Sequence, residues 1–176
     1  MKRAGRAGLL LKGKGEKYFM QLKSVIDKYG RSSENLIHIL LEYQSGKESN
    51  FISEDEVKQV AEELNVTQSR VYSVITFYSL FSTTPRGKYV IQVCSDVPCY
   101  VNGSVDVLRE IENVLGISPG ETTKDRIFTV ERTSCIGCCD MSPAMRIGEE
   151  LYGNLTSEKI AQTISQYRRK YNENKE

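Results

Sequence analysis

Histidine is nearly missing from this chain: His38 is the only one in 176 residues. A Rieske-type iron–sulfur centre, which takes two histidines on one iron, therefore cannot form within it. His38 itself sits among Ile37, Ile39 and Leu40 and reads as a packing or surface residue of a helix. Tryptophan is absent while tyrosine occurs ten times, a balance that suits a core and a partner surface equally. Neither sign of charge is in excess. The formal net charge is +1, so composition gives no case for binding nucleic acid or a membrane surface. No apolar stretch approaches the roughly 18 to 20 residues that cross a bilayer, which argues against direct membrane insertion. Leu9-Leu10-Leu11 is far too short for the apolar core of a secretory signal, and a cytoplasmic location is expected.

Nucleotide fingerprints are lacking as well. Gly13-Lys14-Gly15 precedes the first strand and is not followed by the third glycine of a dinucleotide motif, and there is no P-loop. Two helices expected over 54–65 and 68–81, joined by Asn65-Val66-Thr67, mimic a helix-turn-helix. The second of them, Val71-Tyr72-Ser73-Val74-Ile75-Thr76-Phe77-Tyr78, is mostly apolar around its circumference, unlike a helix that reads a DNA groove.

What is present falls into three stretches. Residues 1–15 form a basic arm with Lys2, Arg3, Arg6, Lys12 and Lys14 and no acid before Glu16; it reads as a solvated terminus, with a targeting or docking role as the alternative. Residues 16–84 read as a helical domain. Tyr18, Phe19, Leu22, Val25, Ile26 and Tyr29 recur at helical spacing up to a stop at Gly30. Ser32-Ser33 offers a cap to a second helix through Leu36, Ile37, Leu40, Leu41 and Tyr43. Ser53 with Glu56 forms a capping box for a third, and Thr67 caps a fourth. Pro85-Arg86-Gly87-Lys88 then ends the helical regime, the glycine permitting a turn.

Residues 85–176 alternate strand, helix, strand: a strand over 88–94, a helix over about 103–115, a strand over 126–133. Two short strands come next around Gly148, and then a helix capped by Thr156 that ends in the charged tail. The order suits a small thioredoxin-like sheet with helices on its faces. The fold class expected is α+β, a small helical bundle followed by a thioredoxin-like α/β domain.

Five cysteines in a chain with no sign of export argue for metal or redox chemistry rather than a disulfide frame. Four form two pairs, Cys94 with Cys99 and Cys135 with Cys139, each following an apolar strand. Soft thiolates match iron in iron–sulfur clusters, and each pair could hold one iron of a [2Fe–2S] centre. Gly137 lets the second loop fold back with backbone N–H groups free to point at sulfur, and Pro98 and Pro143 stiffen their loops. Cys138 reads as a small buried side chain rather than a ligand, because neighbouring side chains diverge. A zinc-stabilised interaction module is the alternative, although structural zinc sites favour C-x2-C knuckles that neither pair has. Cys135 with Cys138 is the nearest approach to a dithiol redox motif, and it opens no recognisable helix.

The chain resembles the thioredoxin-like [2Fe–2S] subunits of NADH-oxidising complexes. That family includes the E subunit of NADH-quinone oxidoreductase and the small subunit of NAD-dependent, electron-bifurcating hydrogenases. The matching stretches are Thr76-Phe77-Tyr78, Pro85-Arg86-Gly87-Lys88, Val93-Cys94 through Cys99, Gly120-Glu121-Thr122-Thr123, Phe128-Thr129, and Cys135-Ile136-Gly137-Cys138-Cys139 with Pro143. Similarity covers roughly residues 17–167. The resemblance implies a [2Fe–2S] cluster on Cys94, Cys99, Cys135 and Cys139 and no catalytic residue on this chain. It also implies a larger flavin- and NADH-binding partner subunit, further iron–sulfur subunits, and one-electron transfer next to the partner's flavin. The helical half would then be a docking surface. Three positions depart from the family pattern: Cys138 and Ser142, where alanine is common, and Arg126, where glycine is common.

Overall fold

The computed structural model describes residues 20–174. The basic arm expected over 1–15, the opening of the first helix with Tyr18 and Phe19, and residues 175–176 lie outside the described part. The chain divides between Pro85 and Arg86 into two compact units.

The first unit is helical. Helix α1 covers described residues 20–29 and buries Leu22, Val25 and Ile26, the inward face of its three- and four-residue spacing. Ser32 caps a 3-10 turn, Ser33–Asn35, that leads into α2, Leu36–Ser45. Ser53 and Glu56 form the capping box of α3, Glu54–Glu63, and Thr67 accepts from the Arg70 N–H to open α4, Gln68–Phe77. Their apolar faces meet in one core that includes Ile39, Leu40, Tyr43, Val60, Val71 and Ile75. Helix α4 is shorter than the expected 68–81. Tyr78 turns extended, which lets Phe81 enter the core while Ser82 bonds the Gln44 side chain and the Ile52 N–H.

A charged pair is sealed into this unit. Lys47 is only 2% exposed, lies 4.9 Å from the ring centroids of both Tyr43 and Phe51, and reaches the Glu56 carboxylate at 2.6 and 2.7 Å. Burial pushes the Glu56 carboxyl up, but hydrogen bonds from Lys47, the Tyr43 hydroxyl and the Ser53 N–H outweigh it and hold the carboxyl below its usual range. The same carboxylate therefore completes the capping box and neutralises Lys47.

The second unit is built on a four-stranded sheet. Strands β1 (Tyr89–Cys94), β2 (Phe128–Thr133), β3 (Met145–Ile147) and β4 (Glu150–Tyr152) lie in the order β2-β1-β3-β4. β1 and β2 are parallel; β3 is antiparallel to both β1 and β4. Two helices fill the crossover from β1 to β2: α5, Val97–Val101, and α6, Ser104–Leu115. Helix α7, Ser157–Glu173, is capped by Thr156 and runs through Arg168-Arg169-Lys170. Ile91, Val93, Phe128, Val130, Met145 and Ile147 of the sheet share one core with Val107, Leu108 and Ile111 of α6 and Ile160, Ile164 and Tyr167 of α7. Among the residues that alternate with them, Gln92, Glu131 and Arg146 are joined by hydrogen bonds. Arg146 donates to Gln92, and Gln92 and Arg86 donate to Glu131. Helical cover therefore lies on the apolar face.

Two local features differ from expectation. Val97–Val101 is a helix rather than a loop, with Pro98 in its first turn, where the missing N–H costs nothing. Gly87 is required for close approach rather than for a turn: a Cβ there would stand 2.7 Å from the Phe128 carbonyl carbon and 2.8 Å from its nitrogen. Its N–H donates to the Thr129 hydroxyl at 2.6 Å, which holds the two backbones together.

Replacing Glu56 with Gln strands the Lys47 charge and is expected to cost about 3 kcal/mol, read by urea unfolding with far-UV circular dichroism. The Glu56 carboxyl lies below its unfolded value of about 4.3, so its stabilisation is present above that pH and lost as pH falls through the lower folded value. Glu56→Gln should remove that part of the acid sensitivity. Gly87→Ala is expected to lower stability by about 1–3 kcal/mol through the forced separation of β1 and β2; an unchanged unfolding midpoint contradicts the close approach.

Candidate metal centre

Parallel pairing of β1 and β2 puts their C-terminal ends side by side: Cys94 stands opposite Thr133, and the Ser95 N–H donates to the Thr133 carbonyl at 3.0 Å. In open α/β sheets this end of the strands is where ligands are held. Each strand is followed at once by a pair of cysteines. Cys94 is the last residue of β1, and Cys99 lies five residues on, in α5. Cys135 comes two residues after β2, and Cys139 opens the 3-10 turn Cys139–Met141.

The two segments are fastened to each other by backbone and side chain. The Cys94 N–H donates to the Ala144 carbonyl at 3.1 Å. Asn102, at the end of α5, donates to the Ser142 hydroxyl at 2.7 Å and to the Pro98 carbonyl at 2.9 Å. The Cys135 N–H donates to the Asp96 carboxylate at 2.8 Å.

The thiols form two pairs of different character. Cys94 and Cys99 are buried, each 2% exposed, and burial together with the hydrogen bond from Cys94 pushes the Cys99 thiol up. Cys135 and Cys139 are exposed, with their sulfurs 3.7 Å apart, and that contact pushes the Cys139 thiol up. The pairs also sense each other: Cys139 contributes to the field at Cys99, and Cys94 to that at Cys139. Backbone donors point at sulfur in both. The Gly137 N–H reaches the Cys135 sulfur at 3.4 Å, with Gly137 at φ +81, and the Ala144 backbone serves Cys99.

Cys138 turns the other way. It is 6% exposed and packs against Cys94, Cys99 and Ala144, while its neighbour Cys139 faces out. Among the described residues, no group of three His, Cys, Asp or Glu side chains gathers at the spacing of a single metal ion. Two pairs of soft sulfur, one sheltered and one open, with N–H donors on both, form a donor set suited to a binuclear iron–sulfur centre. The sequence missed α5, the Asp96 contact and the Asn102–Ser142 bridge. Pro98 two residues after Asp96 is the start-of-helix signal that marks the first of these.

A family model for thioredoxin-like [2Fe-2S] ferredoxin matches residues 22–168. The E subunit of NADH-quinone oxidoreductase from Rickettsia typhi is 35% identical over 146 residues, spanning 82% of this chain and 86% of that protein. The E 2 subunit of the same enzyme in Rhizobium meliloti is 37% identical over 122 residues, 69% of this chain and 73% of the relative. Among solved structures, an NAD+-reducing [NiFe]-hydrogenase in the air-oxidised state superposes with a TM-score of 0.67 at 21% identity. That match covers 80% of this chain and 24% of the hydrogenase chain, and it is a likeness of fold. The chain belongs to the thioredoxin-like [2Fe–2S] ferredoxin family, and its cofactor is accordingly a [2Fe–2S] cluster.

Cys135 and Cys139 are expected to react ahead of Cys94, Cys99 and Cys138 when metal-free protein is alkylated under native conditions and the sites are read by mass spectrometry. Uniform labelling of all five would contradict the burial pattern.

Proposed function

We propose that the protein is the one-electron-transfer subunit of an NADH-oxidising complex, with Cys94, Cys99, Cys135 and Cys139 as cluster ligands. The observation that carries this reading is the pairing of a buried dithiol at the end of β1 with an exposed dithiol after β2, joined across neighbouring parallel strands. When bound, a [2Fe–2S] cluster supplies one-electron redox chemistry at this end of the sheet. The protein's own groups do the rest. Cys94 and Cys99 hold their sulfurs away from water, while the Gly137 N–H and the Ala144 backbone set hydrogen bonds on sulfur that tune the potential. Cys135 and Cys139 keep the other side open to a redox partner. No general acid, base or nucleophile is asked of this chain.

The relatives are named as subunits of NADH-quinone oxidoreductase, which supports partner subunits. We infer that the main partner is the larger flavin- and NADH-binding subunit, with further iron–sulfur subunits of a respiratory or hydrogenase assembly beyond it. The helical unit supports a docking role by leaving Phe77 80% exposed and Tyr72 51% exposed, unusual for aromatic side chains. Among the described residues no helix is long and apolar enough to cross a membrane, and five free cysteines suit a reducing compartment. A cytoplasmic site of action accords with that reading.

Anaerobically purified protein is expected to contain iron and acid-labile sulfide in equal amounts and to absorb in the visible; a colourless, zinc-loaded protein would overturn the proposal. Serine at Cys94, Cys99, Cys135 or Cys139 should each disturb that spectrum, whereas Cys138→Ala should leave it essentially unchanged. Partner subunits recovered with the native chain identify the complex, and deletion of residues 1–80 should weaken that association.

A further inference from the structure

An aspartate that immediately precedes a helix ordinarily turns its carboxylate back onto the N–H groups of the first turn. Asp96 stands in that position at α5, with extended backbone at φ −72 and ψ 163, and its main-chain carbonyl accepts from the Tyr100 N–H. Its side chain makes no capping bond. It reaches instead across to the other cysteine segment and accepts the Cys135 N–H at 2.8 Å. Of the contacts that fasten the two segments, this one grips the main chain of a thiol-bearing residue in a stretch without regular structure, between the end of β2 and the turn at Cys139. The other ties reach that segment beyond Cys139: Asn102 at Ser142, and the Cys94 N–H at the Ala144 carbonyl.

We propose that Asp96 is a positioning residue for the cluster: its carboxylate locks the Cys135 segment to the helix bearing Cys99 and sets a negative charge beside Cys135. This rests on the ligand assignment above. Electrostatics and geometry give the carboxylate two effects. A negative charge near the cluster disfavours the added electron, so the potential is held lower than the sulfur ligands alone would set it. Solvent moderates that effect, since Asp96 is exposed. An acceptor on the Cys135 N–H also restricts where that thiol can go, so it slows loss of the cluster.

Asparagine at position 96 keeps an oxygen acceptor and removes the charge; alanine removes both. The test is redox titration of the purified holoprotein, followed in the visible, together with the rate of bleaching by a ferrous chelator. Asp96→Asn is expected to move the midpoint potential positive with bleaching unchanged. Asp96→Ala should move the potential in the same direction and bleach several-fold faster, and in metal-free protein it should speed alkylation of Cys135. Unchanged potentials in both variants overturn the electrostatic role, and equal bleaching in all three proteins overturns the tie. If the alanine protein fails to fold, the asparagine potential alone decides. Cys135→Ser, measured alongside, keeps the two readings apart: a native spectrum there removes the ligand assignment itself, whatever Asp96 does.

Discussion

The constraint on which the site depends is the parallel pairing of β1 with β2. Two cysteine pairs separated by a long insert have no local reason to meet. Hydrogen bonding from Tyr89 opposite Phe128 through Cys94 opposite Thr133 brings the strands out at one end, so the segments leaving the two strands become neighbours. A parallel pair needs a crossover connection, which is usually helical. Here the crossover begins with α5, so the connection itself carries Cys99. The Gly87 backbone, drawn against Phe128, sets the spacing from the opposite end of the same strand pair.

Once the ends are aligned, burial separates the two pairs. β1 is flanked by β2 and β3, so Cys94 at its end lies inside the sheet and is roofed by Ala144 and Cys138. β2 has no further strand of the four-stranded sheet on its outer side; the segment Gly120–Thr123 returns along it, with the Val130 N–H donating to Glu121 and the Thr123 N–H to Phe128. The Cys135–Cys139 loop after β2 therefore leaves the sheet near its margin and stays open. On the proposed ligand set this asymmetry would keep one side of the cluster sheltered from water and the other side open.

Much of this is legible in the residues. The four strands are announced by pattern, and α3, α4 and α7 by period and cap: Ser53 with Glu56, Thr67 and Thr156 each stand at a helix start and accept from its first turn. Helix α2 shows its period, while Ser32 caps the 3-10 turn before it. The family emerges from the motif stretches, and the matching model covers them. Local pattern is silent on features that are tertiary in origin. Helix α5, Val97–Val101, is too short for any period to register, and only Pro98 hints at it. The helix through Phe77 looks four residues longer in sequence because Tyr78 and Phe81 keep its apolar spacing; the core, reached through Ser82, decides otherwise. Glu56 is legible in sequence as the capping-box partner of Ser53, but its buried pairing with Lys47 is not, since nothing in a sequence marks a lysine enclosed by Tyr43 and Phe51.

The departures from the family pattern have physical readings in this chain. Arg126 lies at φ +58, in the left-handed region that a glycine occupies without strain. Its N–H donates to the Thr123 carbonyl and its carbonyl accepts from Lys88, so the turn into β2 is held by main-chain hydrogen bonds that do not use the arginine side chain. Ser142 offers Asn102 a hydroxyl that an alanine lacks, and the contact joins the end of α5 to the loop after Cys139. Cys138 fills the space between Cys94, Cys99 and Ala144 with a sulfur where a methyl would pack more loosely. Two of these substitutions, Ser142 and Cys138, lie in the frame that holds the thiols. On the proposed ligand set both side chains lie beside the thiols, where hydrogen bonding and burial would tune a cluster's potential.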